Sequence, residues 1–124
     1  MADPTSFYIG WLLDPAQRET LLVRFAPRYP RVVAHHVTLT FGDRAAPPPG
    51  DVTAAVVGEA DDGAGVQALV VAIDGATARP DGGTFHITWS LGPGREPKES
   101  NEVIAARGWS PLEAPVPVRL IPNP

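Results

Sequence analysis

Two short segments of the sequence carry the same pattern of a histidine followed by two hydroxyl side chains. The residues are, in chain order, His36, Thr38 and Thr40 in the first segment and His86, Thr88 and Ser90 in the second. Side chains at every second position of a β-strand point to one face of that strand. If both segments are strands, each therefore presents an imidazole and two hydroxyl groups in a row.

A pair of imidazoles of this kind suits acid–base chemistry at a phosphate. Histidine has an ordinary pKa of about 6.5, so it can accept or donate a proton around neutral pH. Opening a cyclic phosphate with water needs one proton taken from the water and one given to the leaving ribose oxygen. Hydroxyl groups beside the phosphorus can stabilise the charge that develops. We therefore predict that His36 and His86 form a catalytic acid–base pair that needs no metal and no cofactor.

The rest of the sequence predicts the elements that position these two segments. Aromatic, β-branched and alternating residues predict six strands, at residues 6–13, 32–42, 52–60, 66–74, 84–91 and 116–121. Asp14, which precedes a proline, predicts the start of a first helix, with Gln17 completing a capping box. Ser100 and Gly108 predict the cap and the end of a second helix at residues 101–107. The order β-α-β-β-β-β-α-β indicates an α+β fold, with an antiparallel sheet that carries its helices on one side.

Length and composition limit the class of protein. The 124 residues predict one domain, residues 1–124. A net charge of −4 argues against a protein that tracks long nucleic acid, so we expect a small nucleotide or an RNA end as the substrate. The absence of cysteine excludes a thiol nucleophile and a thiolate zinc site. No signal peptide and no apolar run of membrane-spanning length is visible, which predicts a cytoplasmic protein without membrane contact. Nothing in the sequence indicates the oligomeric state.

The two segments resemble the signature strands of a known enzyme family. The stretches AHHVTLTFG, at residues 34–42, and FHITWSLGPGREPKESN, at residues 85–101, look like the paired His-x-Thr motifs of the 2H phosphoesterases. They are most similar to the cyclic phosphodiesterase domain of fungal and plant tRNA ligases and to related small bacterial proteins. In that group a His-Ile-Thr strand is similarly followed by a glycine-rich loop and a Ser-Asn pair. The present chain is shorter than the usual domain of the family, so the resemblance bears more on the reaction type than on the substrate.

The resemblance implies a fold and a role for four residues. The fold would be two pseudo-symmetric α/β lobes that face each other across a groove, with one His-x-Thr strand in each lobe. His36 and His86 would be the acid–base pair, and Thr38 and Thr88 would bind the phosphate. Enzymes of the family typically open 2′,3′-cyclic phosphates, and the tRNA-ligase-like members leave a 2′-phosphate. The same analogy gives the role of base to His86 and that of acid to His36.

Several other residues are candidates for contact with the substrate. Lys98 and Arg95 lie in the loop after the second motif, where glycines permit close approach and a helix end favours anions. The other interpretation of this loop is a solvated segment whose positive charges are balanced by two neighbouring glutamates. Tyr8 on the first strand could stack on a base or pack at the rim. Ser90 and Thr40 complete the two rows of hydroxyl groups.

Two further features have structural explanations. His35 alternates out of phase with His36, so we expect its side chain on the core side of the strand, packed against the helix. Asp61 and Asp62 lie in a glycine-rich hairpin, where aspartate is a turn former rather than a metal ligand.

Two other functions remain open. The same fold could be a non-catalytic module that binds a nucleotide or an RNA end, although such a module has no need of a matched acid–base pair. A metallohydrolase could use His35, His36 and His86, but adjacent histidines in a strand point to opposite faces, which disfavours joint ligation. Activity that survives an excess of chelator would separate the metallohydrolase from the metal-independent enzyme.

Overall fold

The computed structural model of the protein describes residues 8–41 and 49–123. In that part of the chain it contains eight strands and two helices, as an α+β fold of the predicted class. The elements are β1 (Tyr8–Leu13), α1 (Pro15–Arg24), β2 (Arg31–Val32), β3 (His36–Phe41), β4 (Ala54–Asp61), β5 (Val66–Ile73), β6 (His86–Leu91), α2 (Glu99–Arg107), β7 (Ser110–Val118) and β8 (Leu120–Asn123). Neither of these helices is long and apolar enough to cross a membrane.

The strands form two sheets in which every pairing is antiparallel. One sheet has three strands in the order β3-β1-β8, and the other has five in the order β2-β6-β5-β4-β7. The order of elements alone predicts a single sheet, whereas the structure divides the strands between two. As a result the two His-x-Thr segments lie in different sheets, one in β3 and one in β6.

The chain passes between the sheets where two predicted strands are each divided in two. In place of the strand predicted at residues 32–42, the described residues form β2 and β3, separated around Ala34, whose φ of 45° lies in the left-handed region. Residues 116–121 are divided in the same way, between the end of β7 and the start of β8. An L-residue in the left-handed region costs about 1–2 kcal/mol, so the surrounding contacts must hold Ala34 there. One such contact is the hydrogen bond that the Ala34 N–H donates to the Thr88 carbonyl at 2.9 Å.

Helix α1 begins as the sequence predicts but uses its glutamine differently. The Asp14 carboxylate accepts a hydrogen bond from the Ala16 N–H at 3.0 Å, which caps the helix. The expected capping box does not form, because the Gln17 side-chain oxygen accepts from the N–H of Arg119. This contact attaches the helix to the second crossing between the sheets. The apolar side of α1 reaches the core through Leu21, which is buried.

One hydrophobic core joins the two sheets and α1. Its members come from β1, α1, β3, β4, β5, β6, β7 and β8, and they include Trp11, Leu13, Leu21, Val37, Val56, Leu69, Val71, Ile87, Trp89, Val118 and Leu120. The rings of Trp11 and Phe85 pack edge to face with their centroids 6.1 Å apart, which connects β1 to the start of β6. Val37 and Ile87 are completely buried in this core. Their neighbours His36 and His86 therefore point away from it.

Helix α2 covers the other face of the five-stranded sheet. A smaller cluster lies beneath it and includes Ala60, Val66, Ala68, Val70, Leu91, Val103 and Ile104. The helix ends at Gly108, as predicted, since this residue has a φ of 70° and its N–H donates to the Ile104 carbonyl. Because His86 and Thr88 also lie on this face, α2 and the loop before it border the second motif.

Candidate active site

The two motif strands meet where the two sheets adjoin. β3 and β6 are in contact, and the hydrogen bond from Ala34 to Thr88 joins the segment before β3 to the middle of β6. The imidazoles are close enough to interact electrostatically. The pKa of His36 is lowered to about 4, first by burial, then by the charge that His35 can carry and then by that of His86. The fold thus brings the two predicted catalytic histidines into one neighbourhood.

A β-bulge in the first motif removes Thr40 from the predicted row. Gly10 of β1 lies opposite Thr38, while the preceding residue, Ile9, lies opposite Thr40, so that Leu39 is an extra residue on β3. Directly opposed residues of an antiparallel pair share a face. Thr40 therefore lies on the face of Ile9, and the expectation that it stands in line with Thr38 is wrong.

The second motif contains a bulge at the equivalent position. Ala68 of β5 lies opposite Thr88, while the preceding residue, Gln67, lies opposite Ser90, so that Trp89 is the extra residue. Ser90 is completely buried, and its hydroxyl donates to the Gln67 side-chain oxygen. Ser90 therefore supports the fold and does not stand in line with Thr88, contrary to the prediction from strict alternation.

The His86 ring is held in one tautomer by the backbone. Its Nδ1 lies 2.8 Å from the Thr84 carbonyl oxygen, which can only accept a hydrogen bond, so Nδ1 carries a proton. In the neutral ring, Nε2 is then unprotonated. Burial lowers the pKa of His86, and the charge of Arg79 lowers it further, whereas the hydrogen bond to Thr84 acts in the opposite direction. A ring that is neutral at pH 7 with Nε2 unprotonated is suited to accept a proton.

His35 lies beside His36 and not in the core. It is exposed, and its Nδ1 is 3.0 Å from Nδ1 of His36. The rings stand nearly perpendicular, with centroids 5.2 Å apart. The predicted placement of His35 is wrong because the left-handed conformation of Ala34 breaks the alternation just before β3 begins. No signal in the sequence indicated this turn, since alanine is not a residue that favours positive φ.

The two motif threonines differ in their contacts. Both are buried, but the Thr88 hydroxyl lies 3.2 Å from the Pro97 carbonyl and 2.9 Å from the Ser100 hydroxyl. Within the described residues, the Thr38 hydroxyl makes no hydrogen bond. Ser100 was expected to cap α2, but it lies inside the helix, and Lys98 occupies the cap position without a side-chain hydrogen bond. The buried Ser100 instead ties the helix to Thr88.

The two basic candidates of the loop have different surroundings. Arg95 makes ion pairs with Asp62 at 2.9 Å and Glu99 at 3.0 Å, so its guanidinium attaches the loop to the turn between β4 and β5. Glu99 is one of the two glutamates expected to balance this charge, but the second partner is Asp62, from a different turn. Lys98 is exposed and directly follows Pro97, the residue whose carbonyl contacts Thr88.

Two further predictions concern residues away from the motifs. Asp61 and Asp62 act as turn formers, because their carboxylates accept from the N–H groups of Gly63 and Ala64, each at 2.8 Å. Tyr8 pairs through its backbone with the end of β3, but its side chain lies outside the described residues.

Arg79 is a residue near the site that the sequence did not single out. Its side chain is only 6% exposed, and Nε donates to the Asp81 carboxylate at 2.8 Å while Nη2 donates to the Asn101 side chain at 3.2 Å. Its charge acts on His86. Arginine in a turn rich in proline and glycine predicts an exposed side chain, and only the path of the chain explains its burial.

Within residues 8–41 and 49–123 no group of three or more His, Cys, Asp or Glu side chains is arranged to hold a metal ion. The expectation that His35 and His36 point to opposite faces, which disfavoured joint ligation, is nevertheless wrong, because the two rings are neighbours. Comparisons of the chain with protein-family models, with curated proteins and with solved structures gave no match.

Proposed function

We propose that the protein is a cyclic phosphodiesterase of the 2H phosphoesterase type, which opens 2′,3′-cyclic phosphates to the 2′-phosphate. The observation that carries this proposal is that His36 and His86, from two repeated sequence motifs, lie on contacting strands and within electrostatic range of each other. Repetition of the bulge after Thr38 and after Thr88 also supports two lobes of common design.

In the proposed reaction His86 is the base and His36 is the acid. Nε2 of His86 takes a proton from water as the water oxygen bonds to phosphorus. The bond from phosphorus to the ribose 3′ oxygen breaks, and this oxygen receives a proton from Nε2 of His36. The products are a 2′-phosphate and a 3′-hydroxyl group. Each proton transfer contributes roughly 10²–10⁴ in rate.

The mechanism needs His36 in its protonated form, and binding of the substrate phosphate favours this form. A pKa of about 4 leaves His36 neutral at pH 7 in the free protein. A phosphate anion between the two rings favours the charged form and so raises this pKa in the complex. A hydrogen bond from Thr38 to a non-bridging oxygen then stabilises the charge that develops on the phosphate. Thr88 donates to another non-bridging oxygen once its hydroxyl turns away from the Pro97 carbonyl, its acceptor in the free protein.

The net charge and the loop next to the second motif favour a small substrate. A net charge of −4 disfavours binding to long nucleic acid. Lys98 directly follows Pro97, whose carbonyl contacts Thr88, and it is exposed, so its side chain is available to a substrate phosphate. A nucleotide, an RNA end or a cyclic phosphate of ADP-ribose fits these conditions.

Incubation with 2′,3′-cyclic AMP in excess EDTA, followed by identification of the monophosphate, tests the proposal. We expect 2′-AMP, and loss of activity by roughly 10²–10⁴ in His36→Ala and in His86→Ala. Both variants should keep the circular dichroism spectrum of the wild type. If the mononucleotide is not turned over, RNA ends and ADP-ribose 1″,2″-cyclic phosphate are the next substrates. Wild-type rates in either histidine variant would overturn the mechanism.

One observation favours a second candidate function, which is a non-catalytic binding module on the same fold. In the free protein neither histidine is charged at pH 7, so the acid form exists only if the ligand creates it. A module of this kind would bind 2′,3′-cyclic AMP in calorimetry and release it unchanged. Complete recovery of every tested cyclic phosphate after long incubation would favour binding over catalysis.

A further inference from the structure

The left-handed turn at Ala34 places two adjacent imidazoles side by side. Helix α1 fastens this turn, since Nε of Arg18 donates to the Ala34 carbonyl at 3.0 Å. Strand β1 fastens it from the other direction, since the Leu13 N–H donates to the His35 carbonyl at 2.9 Å. The backbone of residue 35 is therefore fixed although its side chain is exposed. The contact between the rings of His35 and His36 follows from the way in which the fold holds the chain.

A distance of 3.0 Å between two Nδ1 atoms requires one donor and one acceptor. When His36 carries a proton on both nitrogens, it can only donate, so His35 must accept at Nδ1. If His36 were instead the acceptor, protonating it would break the contact. The direction of the bond is therefore determined for the form of His36 that can act as an acid.

We propose that His35 is a positioning residue for His36, whose Nδ1–H it accepts, so that Nε2 of His36 is directed at the leaving oxygen. The hydrogen bond itself is independent of the reaction, but its use in catalysis rests on the proposed function. The bond persists through the cycle, because His36 retains Nδ1–H after it has given up the proton of Nε2.

The charged groups around the pair set its response to pH. On the pKa of His36, the charge of His35 and, from β6, that of His86 act in the same direction as burial, and all three lower it. From α1, Arg18 binds the carbonyls of Val33 and Ala34 just before the pair. His35 thus has two opposite effects on the pKa of His36. Its charged form repels a proton on His36 and lowers this pKa, while its neutral form accepts a hydrogen bond from the protonated ring and raises it.

Two substitutions separate these effects. His35→Asn removes the charge but places an amide oxygen two bonds from Cβ, where Nδ1 of histidine lies, so an acceptor is retained. His35→Leu removes both the charge and the acceptor. His35 is exposed, so both variants are expected to fold, and matching thermal unfolding curves would check this.

Nuclear magnetic resonance of the ring nitrogens tests the hydrogen bond without any substrate. In the wild type and in His35→Asn we expect the neutral His36 ring to carry its proton on Nδ1, and in His35→Leu to shift toward Nε2. The pKa of His36 should be highest in His35→Asn and lower in His35→Leu by about half a unit to one unit.

Steady-state kinetics tests the positioning role. We expect kcat of His35→Leu to fall by about fivefold to tenfold with KM little changed, and kcat of His35→Asn to stay within about threefold of the wild type. Equal His36 tautomers and pKa values in the two variants would overturn the hydrogen bond. Equal kcat and pH profiles would overturn its catalytic use. If no cyclic phosphate is turned over but the nitrogen spectra behave as expected, the hydrogen bond between His35 and His36 is supported and the proposed function is contradicted.

Discussion

The two His-x-Thr strands share a bulge but differ in what holds their side chains. On β6, His86 donates to a backbone carbonyl and Thr88 is attached to the loop and helix that follow it. On β3, His36 has another imidazole as its neighbour, and Thr38 makes no hydrogen bond within the described residues. Both motif residues of the second strand are therefore held by protein contacts, whereas in the first strand the described contacts hold His36 but not the Thr38 hydroxyl.

In the proposed mechanism this difference gives the two copies of the motif different roles. A base must be neutral and correctly oriented in the free protein, which the backbone contact of His86 provides. An acid must gain its proton when the phosphate arrives, which suits His36 and its low pKa in the free protein. The asymmetry of the contacts thus supports the same assignment of roles that the family resemblance implies.

Substitution of the two threonines should give the largest loss of activity and should also distinguish the two strands by their stability. Thr38→Ala and Thr88→Ala are each expected to lower kcat by roughly 10²–10³, the loss typical of a transition-state donor. Only Thr88→Ala should also lower the free energy of unfolding, by about 1–3 kcal/mol, because it leaves the buried Ser100 hydroxyl without its partner. Kinetics with 2′,3′-cyclic AMP and urea unfolding measure the two effects.

Removal of the Thr40 hydroxyl and conservative replacement of the two motif threonines provide matched controls for that experiment. Thr40→Ala should leave kcat unchanged, because the bulge turns Thr40 away from the line of Thr38. Thr38→Ser and Thr88→Ser keep the hydroxyl and should recover most of the activity. A Thr38→Ala variant as fast as the wild type would show that the first strand does not bind the phosphate.

Acid pH should destabilise the protein through His36. The pKa of this ring is about 4 in the folded chain, against 6.5 for an unperturbed histidine, so the unfolded state binds more protons between these values. Stability therefore falls as the pH is lowered through this window. The expected loss from His36 alone is about 2 kcal/mol between pH 7 and pH 5. His86 acts in the same direction.

Urea unfolding of the wild type and of His36→Gln at pH 7 and pH 5 measures this effect. The variant should lose less stability between the two values, since glutamine does not titrate. Carboxylates with lowered pKa values, such as Asp81 and Glu99, lose their stabilising effect only below the ordinary range of these groups. They therefore contribute little to the change in stability between pH 7 and pH 5. An identical pH dependence in the wild type and the variant would contradict the burial of His36 as the cause.

Local signals in the sequence predicted the parts of this fold that depend on local chemistry. The cap at Asp14 and the stop at Gly108 were predicted because a carboxylate binds free N–H groups and glycine accepts a positive φ. Both predictions concern residues whose own side chain, or lack of one, determines the outcome. The pairing of His36 with His86 was instead predicted from the repeated spacing and the family resemblance, and their electrostatic proximity depends on the contact between β3 and β6.

The remaining features depend on contacts that one segment of sequence does not contain. The bulges after Thr38 and Thr88 are set by the partner strands, and they reversed the expected facing of Thr40 and Ser90. The left-handed turn at Ala34 is held by helix α1 and by both sheets, and it moved His35 from the core to the site. Alternation is a reliable guide only while the pairing of the strands is regular.

The last difference between the two strands concerns the residues that lie opposite the two threonines, where we expect a change in stability alone. Ala68 faces Thr88, but Gly10 faces Thr38, and a Cβ added at Gly10 would lie 2.1 Å from the Val37 carbonyl oxygen. Since backbone atoms cannot move aside cheaply, Gly10→Ala should force β3 away from β1 and lower the free energy of unfolding by about 1–3 kcal/mol. Gly50→Ala is the matched control, because no atom lies within 4 Å of its added Cβ. Urea unfolding that gives equal stabilities for the two variants would mean that β1 and β3 can separate without cost. The position of Thr38 would then depend on something other than its close approach to Gly10.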